Sequence, residues 1–245
     1  MSASARSTDD ARRLVMERMR KALGRGQDSD AKEAVKSRLA APAPTLVPAR
    51  ADLEAAERIR LFIDQANAVQ ADVERIGAYV DLPEVVADYL RRHNLPMRLV
   101  KALDHRLDRA NWRAGLFEVR DGQPEADDPV GLTTAFAGVA ETGTLMLTSD
   151  ADHPTTLAFL PETSIVVLAS DRVARAYEDA LHAFRQAGPG LPRSINLITG
   201  PSRSGDIEQT LQLGAHGPRR LLILLVDEAS AEGPIADIEQ PASER

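Results

Sequence analysis

The sequence of 245 residues contains no cysteine. That absence excludes disulfides, thiolate nucleophiles, cysteine zinc sites and any iron-sulfur cluster held by this chain alone. A redox role would therefore require electron carriers on other proteins. Aromatic residues make up only 4% of the chain, too few for a base-stacking platform or a sugar-binding groove. Lysine is scarce as well, with four among thirty basic residues; this bias toward arginine is given no functional weight. The longest apolar run, Leu221 to Val226, falls far short of the roughly 20 residues that a membrane-spanning helix needs. The polar stretch from Met1 to Asp10 has no apolar segment behind it, so the expectation is a cytoplasmic protein. A formal charge of -7 argues against non-specific attraction to nucleic acid or anionic lipid.

What is present reads as an α/β protein with an appendage. Ala11, Leu14, Val15, Met19, Ala22 and Leu23 recur at helical spacing after Asp9 and Asp10, and Gly24 stops the pattern. A second short helix is expected from Asp30 to Leu39, followed by the stiff Ala41-Pro42-Ala43-Pro44 linker. Residues 1–49 are read as an amphipathic helical arm with a proline-rich linker, 50–228 as the α/β domain, and 229–245 as a disordered tail. Within the body, a helical stripe runs from Leu53 to Ala66, and Asp81-Leu82-Pro83-Glu84 predicts a helix start with its end near Arg92. Strands are expected at Met97 to Val100, Gly115 to Val119, Leu145 to Thr148, Ser164 to Leu168, Ile195 to Thr199 and Leu221 to Val226. Helical periodicity is read over Val173 to Phe184 and Ile207 to Leu213. This alternation predicts a mostly parallel sheet covered on both faces, with ligands at the carboxyl ends of its strands.

Three segments are candidates for chemistry. In Glu141-Thr142-Gly143-Thr144, ahead of the strand at Leu145, a carboxylate among small residues can act as base, nucleophile or acceptor, or simply hold a tight turn. In Gly200-Pro201-Ser202-Arg203-Ser204-Gly205, backbone N–H groups, two hydroxyls and a guanidinium would bind a carboxylate or phosphate. Asp206 and Glu208 offer the competing reading, a helix start capped internally. His216, beside Gly217 in the last turn before Leu221, serves as a catalytic group or as a structural hydrogen-bonding residue. His93, His105, His153 and His182 lack metal-ligand spacing, so no metal site is expected. Trp112 is expected to anchor packing.

Ala140-Glu141-Thr142-Gly143-Thr144-Leu145, Leu160-Pro161 before Ile165-Val166-Val167, Gly200-Pro201-Ser202-Arg203-Ser204 with Asp206-Ile207-Glu208, and Gly214 with His216-Gly217-Pro218 together resemble the LUD domain, in the right order. The resemblance covers roughly Ala51 to Val226, and the arm in front is also similar to that family; Ser204-Gly205 departs from a hydroxyl-then-Ala pair. The resemblance implies a three-layer Rossmann-like α/β/α sheet of the kind shared by sugar-phosphate isomerases and CoA transferases. It also implies a role in oxidising L-lactate to pyruvate, beside two companion proteins with cysteine-rich and iron-sulfur motifs. On this reading the chain is an accessory or substrate-handling subunit that binds no cofactor itself. Glu141 and His216 would be its catalytic residues, and Thr142, Gly143, Thr144, Gly200, Ser202, Arg203, Ser204 and Gly217 would accept a small carboxylate. Two alternatives stay open: a freestanding isomerase or acyl-CoA transferase-like enzyme using Glu141, and a binding module that senses a small carboxylate.

Overall fold

The computed structural model describes residues 8–24, 29–40, 47–112, 117–188, 192–207, 210–214 and 216–238. Two units separate, Met1–Thr45 and Leu46–Arg245. The first holds α1 (Thr8–Ala22) and α2 (Ser29–Ala40). Asp9 and Asp10 in the first turn of α1 and Arg20 and Lys21 in its last complement the helix dipole. Its side chains Leu14, Val15, Met16 and Met19 are exposed.

The second unit begins with α3 (Ala55–Ala68), β1 (Asp72–Ile76), α4 (Leu82–Arg92), β2 (Arg98–Lys101), β3 (Glu118–Asp121) and β4 (Val130–Thr134). It continues through β5 (Ala137–Val139), β6 (Thr144–Thr148), β7 (Thr163–Ala169), β8 (Val173–Ala174), α5 (Tyr177–Ala187) and β9 (Ile195–Ile198). The hairpin β10 (Arg203–Ile207) and β11 (Thr210–Leu213) and the last strand β12 (Arg220–Val226) complete it. Six strands form a central sheet in the order β1-β12-β7-β4-β2-β3, and every neighbouring pair is parallel.

The period of two along β12 builds the two faces of this sheet. Leu222, Leu224 and Val226 join Leu82, Val86 and Leu90 of α4 on one side. Leu221, Ile223 and Leu225 join Phe62 and Ala66 of α3 on the other. A strand buried on both faces reads as a continuous apolar run, which is why β12 and β7 stand out in the sequence. The expected three-layer α/β/α arrangement is present, with α4 and α3 covering opposite faces.

A second sheet, ordered β8-β5-β6-β9, lies on the α3 side. Its β5–β6 and β6–β9 pairs are antiparallel. Leu145 and Leu147 of β6 face the central sheet's cluster, while Met146 faces α5 through Ala180 and Leu181. The strands at Leu145 and Ile195, expected in the parallel sheet, therefore belong to this smaller one. Their composition is that of any half-buried strand, and only tertiary pairing separates the two cases.

Two further expectations are corrected. Ile207 to Leu213 is not a helix: Arg203 pairs with Leu213, Ser204 with Gln212 and Ile207 with Thr210 in an antiparallel hairpin. Seven residues fit either period, and a helix of two turns gains too little to resist strand pairing. Residues 229–238, read as the start of a disordered tail, pack on the body. Ile235 is buried beside Ala180, Ser230 donates to Asp171, and the Ile238 amide donates to Asp179. The periodicity there is too weak to announce itself, because the segment is fastened by polar groups and one apolar residue. Val47, just ahead of the boundary expected at residue 49, packs with Ala51 and Ala176.

Candidate functional site

Parallel sheets gather loops at the carboxyl ends of their strands, and a cavity rich in charged side chains lies there. Beyond β2 the backbone continues beside β4, with the Ala102 amide donating to the Leu132 carbonyl at 2.9 Å, and delivers Asp104 and Arg106. β4 ends at Thr134, β7 leads through the turn Ser170–Arg172 to Arg172, and β6 leads to a loop carrying Asp150 and His153. These segments line a cavity of about 350 Å³, to which Glu232 is added from beyond β12.

Asp104 is the centre of the cluster, its side chain only 2% exposed. It accepts from the Arg106 backbone N–H at 2.8 Å, from Arg106 Nε at 2.9 Å and Nη2 at 2.6 Å, and from Thr134 Oγ1 at 2.6 Å. His153 Nε2 lies 3.0 Å away. Burial by itself would raise the Asp104 carboxyl, but the hydrogen bonds from His153, Arg106 and Thr134 outweigh it and hold the group well below the usual carboxylate range.

His153 is held from both sides. Its Nδ1 lies 2.8 Å from Asp150 Oδ1, and the same oxygen accepts the backbone N–H groups of Asp152 and His153 at 2.8 Å each. Burial works against the imidazolium, yet the flanking carboxylates Asp104 and Asp150 prevail, so the ring titrates above its ordinary value. Protonated, it donates from both nitrogens and contributes a fixed positive charge to the cavity wall.

The sign of the linked stability follows from that direction. The folded pKa is raised, so the stabilisation is complete below the unfolded value of about 6.5 and is lost as pH rises through the higher folded value. Thermal unfolding measured between about pH 5.5 and about pH 8.5 should show the wild-type Tm falling with rising pH across this window. His153→Gln should begin lower and lack that component. Parallel pH profiles for the two proteins would contradict the assignment.

Arg172 differs from the other cations. It is 5% exposed, lies over the Phe136 ring with Cζ 4.8 Å from its centroid, and donates from Nε to the Phe136 carbonyl and from Nη1 to the Gly233 carbonyl. Burial lowers its pKa, as does the like charge of Arg106, against the opposing pull of Glu232 and Asp171. Among the described residues its hydrogen-bond partners are neutral carbonyls. A guanidinium has five donors, so its fork retains N–H groups for an anion.

The residues singled out from the sequence fall in a different region, around the carboxyl end of α3. Glu141 sits in the β5–β6 turn, its N–H donating to the Arg175 carbonyl and its carboxylate accepting from Arg50 at 3.0 Å. Thr142 and Thr144 form a hydroxyl network with Tyr177 and Thr199 at 2.6–3.0 Å. Gly143, at φ +65°, presses on α3 so closely that a Cβ would lie 2.3 Å from the Ala66 nitrogen; at Gly200, φ +79°, one would lie 2.5 Å from the Val69 carbonyl oxygen. These two glycines are required by left-handed backbone and by contact.

Arg203 donates to the Val69 carbonyl at 3.0 Å and to Gln70 Oε1 at 3.2 Å, closing the end of α3, where the carbonyl dipole favours a cation. The Ser202 amide donates to the Pro218 carbonyl at 2.8 Å, so the Gly200 loop does lie beside the His216–Gly217 turn, as expected for that connection. His216 is exposed in this turn, and Ser204 is paired in β10. None of the described side chains in this set lines the cavity. Among the described residues, the helix N-terminus expected beside this loop is replaced by the β10–β11 hairpin.

Sequence reasoning set His153 aside for want of metal spacing and did not single out Asp104, Arg106 or Arg172. The available signal was local: Asp104-His105-Arg106 and Asp150-Ala151-Asp152-His153 each follow an apolar strand. Trp112 does anchor packing, buried with its indole N–H donating to the Leu107 carbonyl.

Comparison with known proteins places this fold. Residues 107–226 match the LUD domain family. Over 114 residues the chain is 37% identical to "Uncharacterized protein NMB1437" of Neisseria meningitidis serogroup B, covering 46% of this chain and 47% of that protein. It is 36% identical over 102 residues to Lactate utilization protein C of Geobacillus sp. strain WCH70, covering 40% and 42%, and 39% identical over 101 residues to Lactate utilization protein C of Shouchella clausii, covering 40% and 44%. The chain thus aligns with less than half the length of these curated relatives. A DUF162 family protein from Deinococcus radiodurans, solved at 1.70 Å, superposes with a TM-score of 0.52 at 23% identity, covering 71% of this chain and 99% of that one, and so shares the fold. The similarity to the LUD-domain family thus extends over residues 107–226, just under half of this chain.

Proposed function

We propose that this protein serves lactate utilization as an accessory or substrate-handling subunit of a complex that oxidises L-lactate to pyruvate. The oxidation removes two electrons and two protons from the carbinol carbon and its hydroxyl. A chain without cysteine offers no cluster to receive the electrons, so the iron-sulfur clusters belong to companion proteins. This chain binds and orients the carboxylate. The names of its relatives support the pathway, and the chemistry of the strand-end cavity supports the ligand class.

The observation that carries the reading is Arg172, a buried guanidinium with carbonyl partners, facing the same cavity as His153 and Arg106. Its planar fork matches a carboxylate, and His153, when protonated, adds to the attraction while held between Asp104 and Asp150. The exposed apolar face of α1, with Leu14, Val15 and Met19, is the surface we assign to a companion protein.

A host lacking the chromosomal copy tests this directly. The wild-type chain should restore growth on L-lactate, and a tagged copy should co-purify with iron-containing companions. Arg172→Lys, which keeps the charge but loses the fork, should fail to restore growth while purifying as a folded protein. Unimpaired growth on L-lactate without the chain would overturn the proposal.

A further inference from the structure

We infer that Arg106 and Arg172 form a carboxylate subsite for which the chain supplies its own counter-ion, Glu232, and that a monocarboxylate ligand binds by exchanging with that side chain. The inference rests on the small-carboxylate reading above and adds the position, the competing group and its consequence for affinity.

Glu232 reaches the cavity from the segment that follows β12, at the tip of a turn closed by the Gly233 amide on the Ser230 carbonyl at 3.2 Å. The turn is fastened at both ends. The Ser230 amide and hydroxyl donate to Asp171 Oδ2 at 2.8 and 3.0 Å, and the Gly233 carbonyl accepts from Arg172 at 3.0 Å. Ile235 is buried just beyond it. The backbone is thus pinned onto the arginine of the site, while the Glu232 side chain itself is 46% exposed.

Its contact with Arg106 is loose. Glu232 Oε1 lies 3.9 Å from Nη1, an ion pair without a hydrogen bond. Arg106 spends Nε and Nη2 on Asp104 and Thr134, which turns Nη1 toward Glu232. Arg172 feels both Arg106 as a like charge and Glu232 as an opposite one. Arg106 is paired with Asp104 but still offers Nη1, and Arg172 has only carbonyl hydrogen-bond partners among the described residues, so a loosely held, half-exposed carboxylate is readily displaced by one that makes parallel N–H···O bonds. Rotation of the Glu232 side chain suffices, because the turn stays fastened. Where Glu232 remains near the entering ligand, its charge opposes binding and disfavours dianions more than monoanions.

The test is calorimetric titration of the full-length protein with L-lactate and with pyruvate, comparing wild type, Glu232→Gln, and Glu232→Gln combined with Arg172→Ala. The Gln variant should bind roughly tenfold more tightly, a modest gain because solvent screens a half-exposed carboxylate, and the double variant should lose the gain. Equal or weaker binding by Glu232→Gln, with wild type still binding, overturns the exchange while leaving the carboxylate reading intact. Binding by neither protein removes that reading and the exchange with it.

Discussion

Replacing Asp104 with asparagine should lower the melting temperature by on the order of 10 °C and abolish carboxylate binding at the strand-end cavity. Asp104 is 2% exposed and joins Arg106, Thr134 and His153, which come from three separate segments of the chain. Asparagine has nearly the same shape but offers a neutral amide. Its N–H₂ group then confronts donors, and Arg106 and His153 lose the charge that balances them. Breaking a buried pair in this way costs about 3–5 kcal/mol when both partners are dry. The 18% and 20% exposure of Arg106 and His153 puts the expectation at the lower end, about 3 kcal/mol. Differential scanning calorimetry provides the check, and a melting temperature within a degree or two of wild type would refute the central role given to Asp104.

Arg172→Ala should weaken binding of L-lactate or pyruvate by roughly 10- to 100-fold, since a charge-assisted hydrogen bond contributes about 1.5–3 kcal/mol and each tenfold change in Kd is about 1.4 kcal/mol. Arg172→Lys should recover little of this, because an ammonium group cannot present two parallel N–H groups to a planar carboxylate. The structural loss is of a different kind: the stacking on Phe136 and the hydrogen bonds to the Phe136 and Gly233 carbonyls disappear, and Asp171, whose Oδ1 is buried without a hydrogen-bond partner, loses a neighbouring opposite charge. Titration beside a thermal melt separates the two effects. Equal Kd values for wild type and Arg172→Ala would remove Arg172 from the site.

The contrast between what is legible in the sequence and what is not has a physical origin. The stripe from Leu53 to Ala66, the capped start at Leu82 and the apolar runs of β7 and β12 are dictated by local periodicity, and the fold class follows from them. Ile207 to Leu213 is ambiguous because a short segment satisfies two periods, and its partner strand decides. The small sheet containing β6 and β9 is hidden for a related reason, since a strand's own composition does not state which sheet it joins. The site is hidden more deeply. Asp104 and His153 are 49 residues apart, and nothing in either neighbourhood names the other. Gly143, Gly200 and Arg203 form the more visible pattern because close packing on α3 restricts those positions to glycine, or to a cation at a helix end. Such restriction writes a strong motif whether or not a ligand binds.

Asp104, Arg106 and Glu232 also lie outside the residues matched to the LUD domain, whereas Thr134, His153 and Arg172 lie within them. The cavity therefore combines the shared domain with groups contributed by flanking segments of this chain. That composition suits a common scaffold whose ligand preference is adjusted at its edges.

The most direct test is a crystal structure of the full-length protein grown with L-lactate. The account predicts a carboxylate within hydrogen-bonding distance of Arg172 and Arg106 in the cavity at the ends of β2, β4 and β7, with the Glu232 side chain turned away. A ligand found instead against Glu141, Arg203 and His216, with the strand-end cavity unchanged, would contradict it.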